Sequence, residues 1–161
     1  MVEKGNTERV CNLYVNNMHL IVMLIPYIEK ELEKGNKIFT ILEEDLENEV
    51  GMLMNKVNLD KSKKEKLKKI NWKKQELSLN KISEVKNEIV LVKGSYEFVN
   101  SMNEYINGSV RKVINCFDIE TFENKSRDIL ENHNKILNTL GEKEISDVFH
   151  TDMRKNIMLT K

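Results

Sequence analysis

Short, continuous apolar runs alternate along this chain with longer segments in which apolar residues recur every three or four positions. The first run, Val10, Leu13 and Val15 with Cys11 between, predicts a buried strand, after which Asn16 and Asn17 supply turn and helix-capping chemistry. A helix is expected from about Met18 to Lys34, with Gly35 offering a left-handed stop. Pro26 lies inside it; proline lacks an amide donor and crowds the preceding turn, so a kink or a shortened first segment is expected. Ile38 to Leu42 reads as a second strand, too continuously apolar to keep one face wet, as when helices cover both sides of a sheet. Glu43, Glu44 and Asp45 then read as a helix start, with negative charge at its positive end, and Leu46, Val50, Leu53 and Val57 as its buried stripe.

Asp60 can cap a further short helix, Ile70-Asn71-Trp72 suggests a brief strand, and Leu79, Ile82 and Val85 suggest another helix. Glu88 to Val92 is a third buried strand, followed by Lys93-Gly94-Ser95 and a helix carrying Tyr96, Val99, Met102 and Ile106 on one face, ended by Asn107-Gly108. A fourth strand covers Lys112 to Phe117. Asp118 or Thr121 then caps a helix expected to bury Phe122, Ile129, Leu130, His133, Ile136, Leu137 and Leu140 before Gly141 closes it. Alternating strands and helices predict an α/β fold, a three-layer architecture with a mainly parallel central sheet and helices on both faces. Residues 1–161 are expected to form a single compact domain. Its tail, 142–161, holds Ile145, Val148, Phe149, Ile157, Met158 and Leu159, and is too apolar to float free; it is expected to cover a sheet edge or to dock on a second copy in a homodimer.

Charge adds mainly exclusions. Lysine plus arginine equals aspartate plus glutamate at 26 each, so no general attraction to nucleic acid or to an anionic membrane is expected. The lysines between Lys61 and Lys74 read as a solvated helix face. The apolar run Leu20 to Ile28, bounded by His19 and Glu29, is about half of a bilayer crossing and reads as a buried helix. Two cysteines inside apolar runs, with no secretory signal at the start of the chain, suggest a cytoplasmic protein.

The chemistry is sparse. Neither the turn at Val15-Asn16-Asn17-Met18 nor Lys93-Gly94-Ser95 has the glycine and lysine spacing of a phosphate loop, and no dinucleotide fingerprint is present, so no cofactor is expected. "KGS" reads as a tight turn capped by Ser95. Cys11, His19, Cys116, His133 and His150 are too dispersed to predict a metal site. Cys11 and Cys116 read as packing residues, with a redox pair open to them if their strands are neighbours. Ligands of open parallel sheets collect beyond the carboxyl ends of the strands. Those ends offer Tyr14, Asn16, Asn17, Glu43, Glu44, Lys93, Ser95, Tyr96 and Asp118, of which Tyr14, Asn16, Lys93, Tyr96 and Asp118 are the candidate pocket residues. The eight methionines could line an adaptable apolar pocket or simply fill the core.

The order of these signals resembles the MEDS family, a sensory domain of regulators in methanogens and methylotrophs. Three segments carry the resemblance: "VCNLYVNN" with the helix ending "PYIEKELEKGNKIFTI", then "EIVLVKGSYEFV", then "NCFDIETFENKSRDILENHNKIL". They match a cysteine-x-x-tyrosine strand end (Cys11, Tyr14), a proline-aromatic helix (Pro26-Tyr27), a glycine-lysine turn (Gly35 to Lys37), a cysteine-aromatic-aspartate strand end (Cys116 to Asp118) and a helix finishing in histidine-proline. Asn134 stands at the proline of the last motif, and the histidine that commonly precedes the first strand is replaced around Arg9-Val10. The resemblance implies a RecA- or KaiC-like scaffold without an intact nucleotide site, used as a noncatalytic sensor of small, hydrocarbon-derived molecules. It implies a signalling protein partner as well, since this chain has no room for an output module. Two alternatives stand beside it: a ligand-independent interaction regulator, and a residual nucleotide-binding protein.

Overall fold

The computed structural model describes residues 7–74, 76 and 78–149. A six-stranded sheet runs in the order β2-β3-β4-β1-β5-β6. Its strands are β1 (Glu8–Tyr14), β2 (Ile38–Leu42), β3 (Ile89–Lys93), β4 (Lys112–Asp118), β5 (Lys135–Asn138) and β6 (Gly141–Glu144). The first five are parallel, and β6 alone is antiparallel, turning back along β5. The helices are α1 (Asn17–Glu33), α2 (Glu47–Lys56), α3 (Lys61–Lys68), α4 (Leu79–Ser83), α5 (Tyr96–Tyr105), α6 (Ile119–Glu131) and α7 (Ile145–Val148).

Period-two alternation divides the core into two layers. Val10, Tyr14, Leu91, Ile114 and Cys116 point to one face with α1, α2 and α3. Cys11, Val90, Val92, Val113 and Phe117 point to the other with α4, α5, α6 and α7. The helices are set by their caps: Asn16, Asp60, Ser78, Ser95 and Asp118 each accept an amide of the first turn. Gly35, at φ +88°, turns the chain out of α1.

Five expectations are corrected. Val15 lies beyond β1 and is 67% exposed. α1 is not shortened at Pro26 but continues through it, and both the Pro26 ring and the Val22 side chain are exposed, so the carbonyl that loses its helical donor lies on the wet side of the helix. Residues 43–46 are not helical; α2 starts at Glu47, and Ile70-Asn71-Trp72 is a loop rather than a strand, with Trp72 buried and its indole donating to the Leu67 carbonyl. The expected single helix from Asp118 to Leu140 ends at Glu131, and Lys135–Asn138 joins the sheet beside β1.

The tail expected to dock is therefore partly built into the domain, since β6 pairs with β5 and α7 buries Ile145; its remainder, 150–161, lies outside the described residues. α3 confirms the solvated reading of the basic stretch, burying Leu67 alone. Among the described residues, no helix is long and apolar enough to cross a membrane.

At the opposite edge of the strands from their carboxyl ends, Lys112 is hydrogen-bonded to Glu142 and, at 2.9 Å, to the Tyr27 hydroxyl. Glu8 lies 3.3 Å from Lys112 and 3.0 Å from Lys135. This cluster joins α1, β1, β4, β5 and β6. Burial alone would raise the Glu142 pKa, but hydrogen bonds from Lys112 and Tyr27 outweigh it and hold the carboxyl below its usual value.

Candidate functional site

The carboxyl ends of β1, β2, β3 and β4 surround a cleft of about 350 Å³ lined by Tyr14, Glu43, Glu44, Lys93, Gly94, Ser95 and Asp118. Lys93 is its central group. As the last residue of β3 it faces the α1 side, where its side chain is 2% exposed. Its ammonium pairs with the Glu44 carboxylate and lies 5.2 Å from the centre of the Tyr14 ring. Burial pulls the Lys93 pKa down, but the hydrogen bond to Glu44 and the contribution of Tyr14 more than offset it, leaving the ammonium more firmly protonated than usual. Reciprocally, the hydrogen bond from Lys93 lowers the Glu44 pKa. Tyr14 is pushed up by burial, and Lys93 opposes part of that shift.

The turn after β3 packs tightly against the segment after β2. The Glu43 amide donates to the Lys93 carbonyl at 2.9 Å, and the Ser95 amide donates to Glu43 Oε1 at 2.7 Å. A Cβ on Gly94 would sit 2.5 Å from Phe98 and 2.9 Å from the Glu43 Cβ, so glycine is required here by close approach. Ser95 caps α5 and Asp118 caps α6, accepting from Thr121 at 2.7 Å. The cleft thus offers one fixed ammonium, carboxylates on either side and a buried aromatic ring.

Of the residues selected from sequence, Tyr14, Lys93 and Asp118 meet in this cleft. Asn16 does not line it: its carboxamide is used in capping α1, 2.8 Å from the His19 amide. Tyr96 turns to the other face of the sheet, 6.2 Å from Phe117 between ring centres, with its hydroxyl 3.3 Å from Asp128. Glu43 and Glu44 were legible as strand-end residues, but their charge is equally explained by a helix start, and the structure spends it on Lys93 and the Ser95 amide instead. Among the described residues, no methionine lines the cleft, and Met23 and Met54 are core residues.

Exposed apolar residues also occur at this end of the sheet. Ile119, Val15 and Leu140 follow the adjacent strands β4, β1 and β5 at this same end of the sheet, and are 41%, 67% and 80% exposed.

The cysteines are settled by register. β1 and β4 are neighbours, but Cys11 pairs with Asn115 and Cys116 with Asn12, so the thiols point to opposite faces and cannot form a redox pair within the fold. Both are fully buried, and burial pushes the Cys11 thiol up to about 12 and that of Cys116 higher still. No group of side chains able to hold a metal occurs among the described residues. Comparisons of the chain with family models, curated proteins and solved structures give no match.

Proposed function

We propose that this chain is a noncatalytic sensory or regulatory domain that binds a small ligand in the strand-end cleft and signals to a protein partner. The observation that carries the reading is the buried Lys93 ammonium, fixed at the cleft floor by Glu44 and Tyr14. A protonated, paired lysine is a poor nucleophile or base and a good fixed charge for recognition. Asp118 and Glu43 are likewise engaged by backbone amides, an arrangement suited to holding a shape rather than moving protons. The polar floor and the exposed apolar residues at the same end of the sheet favour a small ligand with a polar head and an apolar remainder, compatible with the hydrocarbon-derived compounds that the MEDS resemblance implies. The mainly parallel sheet supports the RecA- or KaiC-like scaffold of the same resemblance.

The test is a thermal-denaturation shift against magnesium-ATP and small halogenated, alcoholic and short-chain acid compounds, because binding to the native state alone raises apparent stability. The reading expects a rise with an amphipathic compound, none with ATP, and loss of the rise in Lys93→Met and Tyr14→Phe. A rise only with ATP would favour the residual nucleotide binder. The exposed row of Ile119, Val15 and Leu140 favours a second reading, ligand-independent contact with a partner or with a second copy in a homodimer. A flat ligand panel together with self-association that is lost in Val15→Glu would select it.

A further inference from the structure

A second cleft, of about 370 Å³, opens on the other face of the sheet between α5 and the end of α6. Arg9, Asn100, Asn103, Glu104, Asn115, Asn132 and His133 line it, and the strand-end residues contribute nothing to it. Its floor is a hydrogen-bonded network in which Asn103 and Asn115 donate to each other, the return bond from Asn115 to Asn103 Oδ1 being 3.2 Å. Arg9 donates to Asn103, Asn103 donates to Asn115 Oδ1 at 2.8 Å, and Asn115 donates to His133 Nε2 at 3.0 Å. His133 Nδ1, 2.6 Å from the Ile129 carbonyl, must then carry the proton and donate to that oxygen. Asn115 is 3% exposed, so this lining is built into the core rather than lying on the surface.

Two opposite charges in this cleft leave one another unsatisfied. Arg9 is half-buried, its burial lowers the guanidinium pKa, and among the described residues its guanidinium has one neutral acceptor, Asn103, and no carboxylate within ion-pairing distance. Glu104, exposed on α5, makes no ion pair among the described residues either. A partly desolvated guanidinium without a counter-charge is unfavourable, and its fork geometry suits a bidentate carboxylate. The volume lies within the range of about 300–1,000 Å³ typical of small-molecule sites. A dianion is disfavoured by the single cation and by Glu104 at the rim.

We propose that this cleft binds a small zwitterion of the amino acid type, with its carboxylate on Arg9, its ammonium on Glu104 and its polar substituents among the asparagine carboxamides. The site is independent of the strand-end cleft and of the function proposed for it.

The experiment titrates the full chain with glycine, alanine, glutamine, acetate, ethylamine and inorganic phosphate, reading both thermal shift and backbone amide resonances. Amino acids are expected to raise the melting temperature and to perturb amides around Arg9, Asn103 and Glu104, with acetate and ethylamine each weaker by about tenfold, the worth of one charge-assisted contact. Arg9→Gln should abolish binding and Glu104→Gln weaken it by about tenfold, while Lys93→Met leaves it unchanged. If Arg9→Gln does not fold, Arg9→Lys serves, since it keeps the charge but loses the fork and should still weaken binding. Acetate as effective as alanine, indifference to Glu104→Gln, response to phosphate alone, perturbation confined to Tyr14 and Lys93, or no response to any amino acid would each overturn the proposal.

Discussion

His133 shows how one half-buried side chain couples this fold to pH. Burial lowers its pKa from 6.5 to about 4, a backbone hydrogen bond to Ile129 opposes that shift, and the nearby Arg9 charge adds to it. The native state therefore binds fewer protons than the unfolded chain between these values, and stability falls as pH drops from about 6.5 towards 4, by roughly 3 kcal/mol in total. His133→Gln, which keeps an acceptor for Asn115, should flatten this limb in urea titrations at a series of pH values; an unchanged limb would show that His133 does not produce it. Glu44 and Glu142 act in a lower window, since their contributions are complete above the ordinary value of 4.5 and are lost as pH falls through their depressed native values. In the sequence, His133 was legible only as a residue facing the core. Its role in a polar chain depends on Asn103 and Asn115, which belong to separate elements and carry no local signal of their meeting.

Elements were most legible where a single period dominates. β2, β3 and β4 are continuous apolar runs, and α5 carries a clear three-four stripe, so each appears where expected. The failure at α6 has an identifiable cause. Ile136 and Leu137 extend the helical spacing of Ile129 and His133, yet four residues of the form Lys-Ile-Leu-Asn also make a short strand, and periodicity does not separate the two. The break lies in Asn132-His133-Asn134, between the helix end at Glu131 and the strand start at Lys135. α1 raises the converse case, a proline that does not end the helix. Because the Pro26 ring faces water, Pro26→Ala should restore a backbone bond without disturbing the core, and chemical denaturation should show a gain of about 1–3 kcal/mol, reduced by the greater entropy of the unfolded chain. A loss of stability would mean that the proline fixes a bend on which packing depends.

For the whole molecule, the parallel sheet and its two helical layers were legible from the alternation of strands and helices, whereas the antiparallel return of β6 was not. "GEKE" has no apolar side chain, and its position is set by long-range charges instead: Glu142 meets Lys112, Lys135 and Tyr27. Glu142→Ala should leave the buried Tyr27 hydroxyl without its acceptor and Lys112 with Glu8 as its remaining counter-charge, at a cost of about 2 kcal/mol. Hydrogen exchange should then report early opening of β5 and β6; uniform loss of protection across the sheet would indicate instead that the cluster acts on the domain as a unit. At the candidate site, the sequence offered residues from the ends of four strands, Asn16 and Tyr96 among them, without showing which would meet, and the pairing of Lys93 with Glu44 required knowledge that β2 and β3 are neighbours.

The opposed cysteines give the molecule two internal clocks. Each thiol can meet a reagent in solution only when its own layer opens, Cys116 on the side of α1 to α3 and Cys11 on the side of α4 to α7. Single-cysteine variants exposed to a thiol reagent would therefore time the two halves separately. Equal rates would describe a sheet that sheds both coverings at once, and unequal rates would identify the layer that opens first.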